Sequence, residues 1–212
     1  MITVWGRATS SNVQIVMWAL AEIGLDCKRV DVGGSFGGTD TPEYRRMNPN
    51  GLVPTIEDGD LVLWESAAIV RYLGARYANE QFWPSDPRDR AGMDKWAEWS
   101  KTTFGPTHLG TIFPQIWTLP AEKRNPEILS AAVTRMQGLA KMIDSRLSQT
   151  PYLGGKDVSF ADVIFGTQLY RYFTLPFERA RTPYLEAYYE RLCSRPAYAK
   201  HVMVSYDSLK AK

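Results

Sequence analysis

Asp58-Gly59 stands between two short apolar runs, Pro54-Thr55-Ile56-Glu57 and Leu61-Val62-Leu63-Trp64, and no other feature narrows the available folds as much. An Asp-Gly pair accepts the backbone angles of a tight primed turn, so the flanking runs should fold back as an antiparallel hairpin. A lone hairpin is marginal in water, and the preceding residues supply partners for it. Ile2-Thr3-Val4-Trp5 reads as a short strand. Val13, Val16, Met17, Leu20 and Ile23 keep helical spacing up to Gly24, a good helix stop. Cys27 to Val32 reads as a second strand, Gly33 to Gly38 as a flexible loop, and Thr41-Pro42 as the opening of a short helix. After Trp64, Glu65-Ser66 leads into a helix with Ala68, Ile69, Tyr72 and Leu73 on its buried side. The order is βαβαββα, with a parallel first unit and an antiparallel closing hairpin. It predicts an α/β domain over residues 1–78.

Residues 79–86 read as a linker, and residues 87–212 as all helix. Asp86-Pro87 pairs a helix cap with proline at the first helical position. Trp96 and Trp99 share one face of the helix that follows, which Gly105-Pro106 should interrupt. A long helix starts at Asn125-Pro126, with Leu129, Val133, Met136, Leu139, Ala140, Ile143 and Leu147 as its apolar stripe. Ser159-Phe160-Ala161-Asp162 is a capping signature ahead of Val163-Ile164-Phe165. Leu185, Tyr188 and Leu192 mark the last clear helix, ending near Arg195-Pro196.

Composition excludes several classes of function. Of 212 residues, 44% are hydrophobic, which fits a packed globule rather than a disordered chain. The net charge is only +2 and no basic block stands out, so a nucleic-acid partner is not expected. No apolar run approaches the roughly 20 residues that span a bilayer, and the N-terminus lacks the pattern of a secretory leader, so a soluble cytoplasmic protein with no membrane partner is expected. His108 and His201 are the only histidines, too few and too isolated for a metal cluster. Cys27 and Cys193 are the only cysteines and form no C-x-x-C pair. Any thiol chemistry must use a thiol from outside.

Asn48-Pro49-Asn50-Gly51-Leu52-Val53-Pro54-Thr55, continuing through Trp64-Glu65-Ser66-Ala67-Ala68-Ile69, resembles the cytosolic glutathione transferase superfamily. Ser159-x-x-Asp162 and Arg191-Leu192-x-x-Arg195-Pro196 extend the resemblance over essentially the whole chain. The resemblance implies an α/β plus all-α architecture: a thioredoxin-like N-terminal domain followed by an all-helical C-terminal domain. It also implies glutathione as co-substrate, and a cis bond at Val53-Pro54, the kind of bond that accepts cis most readily. The Val53 amide and carbonyl could then pair with the extended tripeptide as with an added strand. The Ser66 hydroxyl, its amide and the helix end could receive the γ-glutamyl carboxylate, and Glu65 the ammonium group. Taken singly, Pro54 could simply start a strand and Ser66 simply cap its helix. Ser159 and Asp162 are assigned to folding.

In this family a hydroxyl or thiol after the first strand faces the glutathione sulfur. Here that loop is Arg7-Ala8-Thr9-Ser10-Ser11-Asn12, without tyrosine or cysteine. Ser10-x-Asn12 is similar to the serine-type theta, phi and nu-like classes and to bacterial relatives with Thr-x-Asn. Ser10 is the first candidate for the activating donor, Ser11 the second and Thr9 the third; the alternative is that Ser11 and Asn12 only cap the helix. Lowering a thiol pKa by about two units takes roughly 2.7 kcal/mol, and a hydrogen bond to a charged group contributes about 1.5–3 kcal/mol. Leu52 replaces the glutamine that the serine-type plant enzymes carry before Val-Pro, which leaves Asn50 and Arg7 as candidates for the glycine carboxylate.

Phe36, Trp99, Thr103, Phe104 and His108 are expected to line the second-substrate site, suited to an apolar electrophile; Trp96 and Trp99 could instead be interdomain core. The expected activity is transfer of the activated thiol to such an electrophile. The alternatives are glutathione-dependent disulfide reduction and a non-catalytic glutathione- or ligand-binding module. Maleylacetoacetate isomerisation is disfavoured, because its cysteine-containing serine-rich loop is absent. The resemblance implies a homodimer, with Arg71 and the helix after Asp86 at the contact, and a role in detoxification.

Overall fold

The computed structural model describes residues 1–211. The first half is a four-stranded mixed sheet in the order β2-β1-β3-β4. β1 (Ile2–Trp5) pairs in parallel with β2 (Cys27–Val30), joined through helix α1 (Ser11–Ile23). On its other edge β1 runs antiparallel to β3 (Thr55–Asp58), which turns back into β4 (Leu61–Trp64). Gly59 takes φ 65° in that turn, where a side chain would be strained. β2 stops at Val30, two residues short of the expected end, and the glycine-rich stretch contains a 3₁₀ turn, Gly34–Phe36. Helix α2 (Pro42–Met47) starts where Thr41 accepts a bond from the Tyr44 amide at 3.2 Å.

Helix α3 (Ser66–Tyr77) buries Ala67, Ile69, Val70 and Leu73; Ala68 and Tyr72, expected on that face, are only half-buried. Tyr72 and Tyr77 instead donate to Asp58 at 2.7 and 2.6 Å, tying α3 to the hairpin tip. α1 and α3 pack side by side on one face of the sheet, and the helical half closes over them.

In that half, α4 (Pro87–Trp99) begins at Asp86, which accepts a bond from the Arg88 amide at 2.7 Å. It runs without a break through a π-helical turn (Ser100–Phe104), α5 (Gly105–Thr107) and two further π turns (His108–Ile112 and Pro114–Thr118). Gly105-Pro106 therefore does not interrupt the helix: Gly105 keeps helical angles, φ −60° and ψ −48°. Proline removes a donor and crowds the preceding turn, and the wider π turns on either side take up that misfit.

The long α6 (Pro126–Leu147) follows, capped by Asn125, and then α7 (Phe160–Gly166) and α8 (Leu169–Thr174). α9 (Pro183–Cys193) and α10 (Pro196–His201) complete the helical half. α7 is buried on every side and lies against α1, α3 and α4. Its capping carboxylate, Asp162, accepts from the amides of Leu153, Gly154 and Ser159 and from the hydroxyls of Ser159 and Tyr188, at 2.7 to 3.1 Å. The halves are joined by packing of Trp18 edge-on against Tyr198 and by the Arg195–Glu22 ion pair at 2.5 Å. No helix among the described residues is long and apolar enough to cross a membrane.

Candidate active site

Strand register fixes where the site lies. Trp5 pairs with Thr55, and Thr55 with Trp64, so the segments after β1, before β3 and after β4 meet at one end of the sheet. These are the segments carrying Ser10, Val53 and Ser66. Gly6 lets the first come close to the second: a Cβ there would lie 2.4 Å from a Val13 methyl and 3.2 Å from the Val53 Cβ.

The Val53-Pro54 bond is cis. Two buried side chains shape the approach to it: Tyr44 and Asn48 donate to the Leu52 carbonyl at 2.7 and 2.9 Å and both reach the Thr55 hydroxyl. The Leu52 carbonyl is thus consumed internally, and its side chain stands in solvent. The Val53 amide and carbonyl are engaged by no other main-chain group among the described residues, so an extended ligand can pair with both.

Glu65, exposed and next to the α3 N-terminus, is the one non-glycine described residue at positive φ (70°). Such conformations cost energy and cluster at ligand-binding positions. Ser66 is buried at the first turn, and its hydroxyl donates to Asn12 Oδ1 at 3.2 Å. Lys101, from the π turn after α4, donates to the same Asn12 oxygen at 2.7 Å and to Ser66 Oγ at 3.1 Å. Asn12 therefore links the two loops rather than capping α1.

Ser10 occupies the helix-capping position of α1 with extended angles (φ −82°, ψ 122°), yet its side chain makes no capping bond. Among the described residues the hydroxyl has no hydrogen-bond partner, and it lies at the positive end of a 13-residue helix. The loop behind it is held by Arg171, which donates to the Thr9 carbonyl at 2.6 Å, and by Gln14, which donates to the Ala8 carbonyl at 3.0 Å. Arg171 is buried, forms no ion pair among the described residues, and lies over the rings of Phe113 and Tyr206. Burial lowers its pKa to about 10, well within the charged range at neutrality. Burial likewise lowers the Lys101 pKa, with Glu65 and Glu98 opposing the shift. Two cations and a helix end thus surround the loop, an environment that favours an anion.

Beside Ser11 and Asn12 a cleft of about 270 Å³ opens between the halves, walled by Ile15, Lys101, Pro106 and Leu109. Sequence reasoning placed this wall on other residues. Phe104 and His108 are fully buried, packed with Phe165, Tyr172 and Phe177 in the helical core. Trp99 and Thr103 are half-buried and off the cleft wall, and Trp99 meets Trp96 edge-on and Phe104 at a tilt. Phe36 stands exposed on its 3₁₀ turn. Lys101, Gly105 and Leu109, four residues apart along this helix, face the cleft instead. Asn50, exposed, donates its side-chain amide to Asn48 Oδ1 at 3.2 Å. Arg7 packs over Gly34, its Nε buried without a partner. Arg71 is engaged by Asp94 and Glu98 of the same chain.

Lys101 and Arg171 are the residues that sequence reasoning missed. Arg171 left a signal, a single cation inside the aromatic run Tyr170-Arg171-Tyr172-Phe173; Lys101 left none.

A mixed four-stranded sheet of this order, with open backbone at one end and a helical half across a cleft, defines a thioredoxin-like domain followed by an all-helical one. The family model described as "Glutathione S-transferase, N-terminal domain" matches residues 1–75, and that described as "Glutathione S-transferase, C-terminal domain" matches residues 126–191. The glutathione S-transferase GstB of Escherichia coli K12 is 34% identical over 206 residues, covering 96% of this chain and 99% of that protein. The theta class glutathione S-transferase of Xanthomonas axonopodis pv. citri, solved with glutathione bound, superposes with a TM-score of 0.91 at 44% identity, covering 96% of this chain and 98% of that one. Glutathione S-transferase 3 of Zea mays is 31% identical, covering 95% of this chain and 93% of that protein. The chain belongs to the glutathione S-transferase family, and it is an enzyme, a glutathione transferase.

Proposed function

We propose that the chain binds glutathione along residues 50–54 and 65–66, activates its thiol with the Ser10 hydroxyl, and transfers it to an apolar electrophile held in the interdomain cleft. The observation that carries this reading is the convergence, at one end of the sheet, of the unengaged Val53 backbone, the buried Ser66 at a helix start and the uncapped Ser10 hydroxyl. The tripeptide main chain pairs with Val53, the γ-glutamyl end reaches Ser66 and Glu65, and the sulfur comes to the start of α1.

Ser10 acts as a donor to the thiolate and keeps its own proton. Its hydrogen bond, about 1.5–3 kcal/mol to a charged acceptor, matches what a one- to two-unit drop in thiol pKa requires. The helix end and the charge of Arg171 act in the same direction. The thiolate then attacks an electrophilic carbon, and the electron pair of the broken bond leaves with the departing group, a halide for an aryl halide substrate. Ile15, Pro106 and Leu109 supply the apolar contact.

A second assignment has its own support: Ser11, not Ser10, lines the cleft, so Ser11 is the alternative donor. Cys27 and Cys193 are both half-buried, and burial raises both thiol pKa values. The reactive sulfur therefore comes from the ligand. We further propose a cytoplasmic homodimer with a detoxifying role, in which each subunit's sheet half meets the other's helical half. Turnover of glutathione with an aryl halide, followed by thiol consumption, tests the reading. Turnover of a mixed disulfide in place of the halide would favour disulfide reduction, and saturable glutathione binding with neither activity a carrier.

A further inference from the structure

Lys101 is out of place for a surface lysine. Its ammonium reaches across from the helical half to two neutral oxygens of the sheet half, Asn12 Oδ1 at 2.7 Å and Ser66 Oγ at 3.1 Å. It forms no ion pair among the described residues, although an ammonium taken from water is normally matched by a carboxylate. Two of its three donors are used, and the third has no acceptor among the described residues. Ser66, where it ends, opens α3, whose preceding residue Glu65 makes no side-chain capping bond, so the first amides of that helix are also uncapped. One residue away, Glu65 itself holds an exposed carboxylate with its backbone at φ 70°. A cation with a spare donor, a helix N-terminus and a carboxylate thus stand together.

We propose that Lys101 is a specificity-determining residue of the glutathione seat, pairing through its ammonium with the free α-carboxylate of the γ-glutamyl group while Glu65 takes the α-ammonium. The inference rests on the glutathione reading above. The seat then recognises an α-amino acid zwitterion, the one feature a γ-linked glutamate keeps and an ordinary peptide linkage would consume. Lys101 belongs to the helical half, and Ser66 and Asn12 to the sheet half. The ligand carboxylate therefore completes an interdomain contact that is otherwise charge-unbalanced, and occupancy of the seat ties the halves together.

The test uses S-methylglutathione, which removes thiol ionisation from the comparison, and its analogue with the γ-glutamyl α-carboxylate converted to the amide. Both are titrated calorimetrically into the wild-type protein, Lys101→Met and Lys101→Arg, with Lys101→Gln measured alongside in case the methionine variant folds poorly. Wild type should prefer the acid over the amide by about ten- to a hundredfold, the range of a charge-assisted bond. Lys101→Met and Lys101→Gln should lose most of that preference by weakening acid binding alone, and Lys101→Arg should restore much of it. Rising salt should erode the wild-type preference and leave the uncharged variants nearly flat. An unchanged preference in both uncharged variants overturns the proposal, as does an equal loss for acid and amide, which would make Lys101 a structural latch. Failure of wild type to bind S-methylglutathione would overturn the glutathione reading itself, and this inference with it.

Discussion

His108 makes the helical half sensitive to acid. The ring is fully buried between Phe104, Tyr172 and Phe177, and neither nitrogen has a hydrogen-bond partner. Burial, with Arg171 and Arg179 adding to it, lowers its pKa from 6.5 to about 3. Between those values the unfolded chain binds a proton that the folded chain refuses. The stability His108 permits is therefore present above the unfolded pKa and falls as pH drops below it. Integrating from about pH 7.5 to about pH 5.0 gives a loss of about 2 kcal/mol, approaching about 1.4 kcal/mol per further pH unit. Against a total of roughly 5–15 kcal/mol this is a large share. The assay is urea unfolding at both pH values, for wild type and His108→Phe. Phenylalanine fills nearly the same space and forfeits no hydrogen bond. Its acid-induced loss should be smaller than that of wild type by about 2 kcal/mol, while His201 and the carboxylates, common to both proteins, cancel. Equal losses in the two proteins would refute the argument.

Three further outcomes follow from the same geometry. Ser159→Ala should cost about 0.5–2 kcal/mol, read as a lower Tm, with unchanged glutathione affinity of the folded fraction; Asp162→Ala should cost more, because the amides of Leu153, Gly154 and Ser159 lose their acceptor. Glu65→Gln should leave Tm in place and weaken glutathione binding about tenfold, measured by calorimetry, since the exposed side chain makes no ion pair among the described residues and its charge meets the ligand. Light scattering should give a homodimer at micromolar concentration; a monomer throughout would remove the proposed assembly.

Much of the frame was legible because it is written in local chemistry. Asp58-Gly59 sets the hairpin, and Thr41, Asp86 and Asn125, each followed by proline, open helices where a donor would be unsatisfied anyway. Val53-Pro54 and Glu65-Ser66 were equally legible as a pair of segments brought to one sheet end by the register of β1, β3 and β4. The cleft wall was not. Its residues depend on how far the helix after Trp99 turns per residue, and the two π turns at Ser100–Phe104 and His108–Ile112 widen that turn beyond the ideal α-helical value. Gly105-Pro106 reads as a break by local rules, and only the wider turns around it make the helix continuous. Lys101 is one lysine in a helix with polar neighbours on either side. Its role comes from Asn12 and Ser66, 89 and 35 residues distant in sequence, which no local pattern announces.

The central claim, that Ser10 holds the glutathione thiolate, is tested most directly by titrating the ultraviolet absorbance of that thiolate in the binary complex. Wild type, Ser10→Ala and Ser11→Ala are compared at saturating glutathione. Loss of a donor contributing about 1.5–3 kcal/mol should raise the bound thiol's pKa by about one to two units in Ser10→Ala, with little change in glutathione affinity and little shift in Ser11→Ala. A thiol that titrates in Ser10→Ala as it does in wild type would contradict the claim, and a shift confined to Ser11→Ala would transfer the role to the residue on the cleft wall.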